Sequence, residues 1–173
     1  MIVLPISGLQ DGEHPFDISV PVARIPDLLS EFTGDVHVQG TLTKHEQRIS
    51  LQCTVQASAR LECDRSLEMF DEPITLQLRR EYVKDTSRAI EQGAGADETE
   101  DVIAIREDAR HIDITDDVRQ ELALSLPMRR VAPQYRDVPF NELYPDLADR
   151  DAEATDPEVV NERWAALKKL KDI

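Results

Sequence analysis

Period-two alternation dominates the middle of the chain. Val36, Val38, Gly40 and Leu42, then Ile49, Leu51, Cys53, Val55, Ala57, Ala59 and Leu61, fall on one side of two extended segments. Ser50, Gln52, Thr54, Gln56, Ser58 and Arg60 fall on the other side, which should meet water, a helix or a partner. The pattern predicts long antiparallel strands separated by a turn at Lys44-His45-Glu46-Gln47. Asp71-Glu72-Pro73 is the next expected turn, after which Ile74, Leu76 and Leu78 begin another half-buried strand.

Shorter signals flank this block. Apolar runs at Ile2–Leu9 and His14–Val20, split by Asp11-Gly12, predict a hairpin. Pro26 can open a short helix carrying Leu28, Leu29 and Phe32 before Gly34 stops it. Strand character returns at Val102–Ile105 and Ile112–Ile114. Thr115 then caps a helix with Asp116 and Asp117 at its positive end and with Val118, Leu122 and Leu126 along one face, leaving Arg119 and Glu121 wet, until Pro127. Thr155 with Glu158 fits a capping box, and Val160, Trp164 and Leu167 stripe a terminal helix closed by lysines.

Together these elements predict an α+β architecture, an antiparallel sheet or partly closed barrel flanked by helices, with an amphipathic helix at the C-terminal end. One domain over 1–173 is expected, with a flexible acidic loop at about 86–101, where Gly93, Ala94, Gly95 and Ala96 bury too little to repay ordering. An irregular segment is expected at about 129–154, broken by Pro133, Pro139 and Pro145.

Charge changes the picture more than size does. The 173 residues carry 35 Asp and Glu against 20 Lys and Arg, a formal charge of −15. Such a surface disfavours indiscriminate nucleic-acid binding, since phosphate repulsion replaces counterion release. It would draw in a basic partner, and adaptation to salt is the alternative reading. The opening MIVLPISGLQDGEH lacks a basic signal region and no apolar run is long enough to span a bilayer, so a cytoplasmic, membrane-independent protein is expected.

Candidate chemistry is sparse. Cys53 and Cys63 fall short of a closed zinc site, and His14, His37, His45 and His111 are scattered, so no metal, no cofactor and no catalytic residue is expected. No P-loop, Rossmann glycine fingerprint, HExxH or GxSxG occurs. Cys63 and Arg65 stand in the most individual stretch, Leu61-Glu62-Cys63-Asp64-Arg65-Ser66-Leu67-Glu68-Met69-Phe70. There a buried thiol with an internally paired arginine competes with an Arg65 fork offered to phosphate or carboxylate. Arg79-Arg80 and Arg129-Arg130, with Arg136, are basic spots that could touch nucleic-acid phosphates if they converge; otherwise they are solvated surface. Trp164 belongs either to the core or to a docking helix.

That stretch resembles the YceD family of large ribosomal RNA subunit accumulation proteins, whose members carry a Cys-x-Arg-Cys-Leu core followed by an aromatic. Cys63, Arg65, Leu67 and Phe70 keep the pattern, and Ser66 replaces the second cysteine. The resemblance continues in Ile112–Leu122 with Leu126-Pro127-Met128, and in Glu162–Leu170 around Arg163-Trp164-Ala165. Additional cysteines that many relatives place after the Leu-Pro segment are replaced by residues such as Val131, Ala132, Pro133 and Tyr135, so a zinc knuckle is not carried over. The resemblance implies a role in 23S rRNA accumulation; with no catalytic constellation and an acidic surface, a non-enzymatic accessory factor in ribosome biogenesis is expected, binding a basic ribosomal protein, an assembly intermediate or rRNA itself. An enzyme acting on RNA or a phosphorylated substrate, and a salt-adapted interaction adaptor, remain the alternatives; the oligomeric state is open.

Overall fold

The computed structural model describes residues 1–93 and 102–145. The chain divides into two compact units, Met1–Val131 and Ala132–Ile173. The first holds a five-stranded sheet in the order β2-β3-β4-β5-β6 and a two-stranded sheet of β1 and β7. Its strands are β1 (Val3–Pro5), β2 (Gly12–Pro21), β3 (Phe32–His45), β4 (Arg48–Glu62), β5 (Met69–Lys84), β6 (Val102–Ile105) and β7 (His111–Asp113). Helices α1 (Thr86–Gly93) and α2 (Thr115–Ser125) complete this unit. In the second, a 3-10 turn at Pro133–Tyr135 and a short helix α3 (Phe140–Leu143) are the described elements.

The long strands arise where the alternation is strongest. Val38, Val55 and Leu76 stand in one cross-strand row, and Gly40, Cys53 and Leu78 in the next. In both rows the side chains face the core, and the β3–β4 turn falls at Glu46-Gln47 as its pairing of His45 with Arg48 requires. Gly40 is required by contact: a Cβ there would run into the Gln52 carbonyl oxygen and the Cys53 Cβ. The opposite face exposes Gln39, Gln52, Gln56, Gln77 and Arg79 to solvent. Helix α2 packs on β5 and adds Val118 and Leu122 to the core, while Leu126 packs at its margin.

The first sheet expectation is corrected. β1 does not pair with β2; it pairs with β7, over a hundred residues later, through Val3 with Asp113 and Leu4 with Ile112. β2 instead pairs along its whole length with β3. Thr115 secures this arrangement: its buried Oγ1 accepts the Ile2 N–H at 2.7 Å and donates to Asp113 Oδ1, which also accepts the Thr115 N–H at 2.9 Å. Thr115 is therefore the first helical residue rather than the cap.

Four further expectations are revised. No helix starts at Pro26: a 3-10 turn occupies Val22–Arg24, and Phe32 already belongs to β3, where its burial as strand core outweighs a short, weakly amphipathic helix. Asp71-Glu72-Pro73 is not a turn; β5 runs straight through it from Met69, and the reversal falls at Cys63–Glu68. The acidic loop begins as helix α1, and its remainder lies outside the described residues. The sheet is open rather than a partly closed barrel, and β6 joins β5 in parallel. Gln92 of α1 meets the β6 backbone by accepting the Ala104 N–H at 2.7 Å and donating to the Val102 carbonyl at 3.2 Å. The expected terminal helix with Trp164 lies outside the described residues.

Candidate functional site

The most individual sequence stretch forms the tip of the β4–β5 hairpin. β4 buries Leu61 and exposes Glu62, which pairs with Met69 at the start of β5. Between them the chain closes a tight turn. The Cys63 N–H donates to the Glu68 carbonyl and the Leu67 N–H donates to the Cys63 carbonyl, both at 2.9 Å. Cys63 itself is fully buried. Ser66 places its hydroxyl oxygen 3.4 Å from the Glu68 N–H, inside the same turn.

To close so tightly the backbone enters the left-handed region at Leu67, with φ of 59°. A side chain crowds the carbonyl there, and the conformation costs a non-glycine residue on the order of 1 kcal/mol. Asp27 and Glu46 are the other non-glycine residues with positive φ among the described ones, and both are polar. Leu67 gains no burial in exchange, since 72% of it faces solvent. Met69 is 53% exposed and Met128 fully so.

The segment after α2 straps this turn. The Asp64 N–H donates to the Arg130 carbonyl, and the Arg130 N–H donates back to Asp64 Oδ2, both at 2.7 Å. The Arg130 guanidinium also lies 3.8 Å from Glu31 Oε1, and Glu31 accepts the Arg60 N–H through its carbonyl. A carboxylate accepting a backbone N–H forms a charge-assisted bond, so Asp64 is the strap's main fastener. Two of the sequence stretches thus become neighbours here: Cys63–Phe70 meets the chain that follows Leu126-Pro127-Met128, while Glu162–Leu170 lies outside the described residues.

The predicted arginines separate. Arg65 is half-buried in the turn, and Arg130 lies in the strap with exposed Arg129 beside it. Arg79 and Arg80 are adjacent in sequence but project to opposite faces of β5, so they form no joint patch. Arg79 stands exposed on the polar face. Arg80 turns toward α2, where its Nε donates to Asp117 Oδ1 at 2.9 Å and its Nη2 lies 3.6 Å from Glu121. Those carboxylates hold the guanidinium above its usual pKa against a desolvation that pulls the other way. Glu121, expected to stay wet, is thus drawn into this pair. Trp164 lies outside the described residues.

Burial, with Asp117 nearby, pushes the Cys53 thiol up to about 11, opposite to what a thiolate nucleophile needs. Tyr82, in the same buried face, is likewise held well above its ordinary value by desolvation, and its hydroxyl has no protein partner. Among the described residues no three His, Cys, Asp or Glu side chains converge as metal ligands, and no helix is long and apolar enough to cross a membrane. A shallow groove of about 370 Å³, lined by Pro15, Phe16, Asp17, Gln39, Gly40 and Thr41, opens between β2 and β3. Eight residues of β4 lie between its neighbour Cys53 and Glu62 at the tip, a distance of about 30 Å along the strand.

Leu67, Met69, Met128, Asp64 and Glu68 are the residues that sequence reasoning left out of the candidate site. The available signal was two apolar side chains interleaved with acids in a segment that is not amphipathic: Glu62, Asp64, Glu68 and Asp71 around Leu67 and Met69.

The family described as Large ribosomal RNA subunit accumulation protein YceD matches residues 51–171, from the fourth residue of β4 onward. No curated relative and no solved structure matches the chain.

Proposed function

The chain belongs to the YceD family of large ribosomal RNA subunit accumulation proteins, and from that membership we propose that it is a non-enzymatic accessory factor in large-subunit biogenesis, supporting 23S rRNA accumulation by binding. The carrying observation is the Asp64–Arg130 strap. It joins, at two hydrogen bonds of 2.7 Å, the hairpin tip that bears Cys63, Arg65 and Leu67 to the segment following the Leu-Pro of α2. Two separate stretches of family resemblance therefore build one surface. Its exposed groups are aliphatic and charged side chains, which suit contact, while the buried, raised thiol of Cys53 and the buried Cys63 do not suit nucleophilic turnover.

The partner is a constituent of the assembling large subunit, a basic ribosomal protein or an rRNA precursor. In cells lacking the protein, the ratio of 23S to 16S rRNA is expected to fall and to recover with the wild-type chain. Cys63→Ala is expected to restore it and Arg65→Ala to restore it incompletely. Strict dependence on the thiol, with Arg65→Ala fully active, would replace the binding role with a catalytic one.

A further inference from the structure

We propose that the tip of the β4–β5 hairpin docks a protein segment bearing both basic and aliphatic side chains, with Leu67 as the anchor. The inference deepens the accessory-factor reading and rests on it for the setting in which the partner is met. Its starting point is a mismatch between conformation and burial. A glycine would adopt φ of 59° without steric cost, yet the chain places a leucine there and leaves 72% of it in water. Neither backbone preference nor core packing accounts for that choice; a contact made with another molecule does.

The surroundings define the occupant. Met69 is 53% exposed in the same hairpin, and fully exposed Met128 stands two residues before Arg130, whose backbone is bonded to Asp64. Methionine side chains are unbranched and adapt to the shape of an apolar partner. Around Leu67 and Met69 the segment 62–72 carries Glu62, Asp64, Glu68, Asp71 and Glu72 against Arg65, while exposed Arg129 stands beside Met128. An acidic rim around an aliphatic centre complements a segment with lysines or arginines around leucine-like side chains. It repels phosphates, and the one aromatic of this segment, Phe70, is half-buried against the core rather than presented for base stacking. Protein is therefore favoured over RNA as the occupant.

The test uses the full chain and a short fluorescent peptide alternating lysine and leucine, beside one of equal charge with serine in place of leucine. Binding is read by anisotropy at low and moderate salt. The lysine–leucine peptide is expected to bind at least about tenfold more tightly than its serine counterpart. Leu67→Gly should weaken it about tenfold while the melting temperature stays level or rises by about 2–4 °C, as removal of a ~1 kcal/mol strain implies for a chain of this size. Glu68→Lys should also weaken it, and more so at low salt. Equal binding by Leu67→Gly, equal binding of the two peptides, or tighter binding of a fluorescent 23S rRNA fragment than of the lysine–leucine peptide would each overturn the proposal.

The same Leu67→Gly variant in cells separates the two readings. A loss of peptide binding with normal 23S rRNA keeps the docking surface and removes it from the family role. Normal peptide binding, with rRNA that still depends on the protein, keeps the role and removes the surface.

Discussion

At its base the β4–β5 hairpin places Leu51, Cys53, Val55, Leu78 and Tyr82 in the core, all but inaccessible to water, in the cluster that α2 joins through Val118 and Leu122. At its tip the same two strands expose Leu67 and Met69 and hold a leucine in a conformation that suits glycine. The charges differ in the same way. Near the base a guanidinium is matched by two carboxylates of α2; at the tip, the segment 62–72 carries five acids against Arg65. Every local choice at the base agrees with burial, whereas the tip breaks two rules at once, and such departures concentrate where a protein meets another molecule. The base makes the fold, and the tip spends part of its stability.

The comparison breaks most sharply under core truncation. Leu51→Ala removes a side chain that is 1% exposed and should destabilise the protein by about 3 kcal/mol, read as a lower denaturation midpoint at unchanged m-value. A loss below about 1 kcal/mol would mean that the base is no better packed than the tip. A smaller effect separates the ends by pH. The Cys53 thiol is raised from 9.0 to about 11 by burial, so the folded state keeps a proton that the unfolded chain releases. The stability this confers is complete below pH 9 and is lost as pH rises from 9 toward 11, to a limit of about 3 kcal/mol. Cys53→Val keeps an apolar side chain of similar bulk there and should flatten that part of the loss, seen as a shrinking difference between variant and wild type in melting temperature above pH 9. An identical pH profile would place the thiol in contact with water.

What the sequence disclosed follows the range of the interactions involved. β3, β4 and the body of β5 were legible because side-chain alternation is local and continues for many residues. The β1–β7 pairing was not, because its partners lie far apart and the Asp11-Gly12 turn competed for β1 with a local signal. Pro73 also misleads: it reads as a turn residue, but among the described residues β6 pairs only with Glu81–Lys84, so β5 is an edge strand at Pro73 and tolerates it. At the site, Cys63 and Arg65 are legible from the motif, and Leu67 belongs to the same motif, but its exposure does not show in the sequence. Nothing in a sequence reports a positive φ at a leucine. The separation of Arg79 from Arg80 was legible in principle, since Leu76, Leu78 and Tyr82 continue an inward parity that includes Arg80.

The smallest expected effect sharpens the tip itself by asking which half of Arg130 matters there. Its backbone N–H is held by Asp64 Oδ2 at 2.7 Å, while its guanidinium lies 3.8 Å from Glu31 in a partly exposed pair. Exposed ion pairs contribute little, because water and salt screen them and two long side chains must be ordered, whereas a carboxylate bonded to a backbone N–H fixes the chain directly. Arg130→Ala leaves that N–H in place and should hardly change the exchange rate of the residue 130 amide. Asp64→Ala removes its acceptor and should speed the exchange about tenfold, the equivalent of one such hydrogen bond. Because the strap carries Met128 to the docking surface, Asp64→Ala should also weaken the lysine–leucine peptide, by less than Leu67→Gly does, even though the hairpin bonds of Cys63 to Leu67 and Glu68 remain. If Arg130→Ala had the larger effect on both readouts, the guanidinium and not the Asp64 carboxylate would be what holds the two motif stretches together.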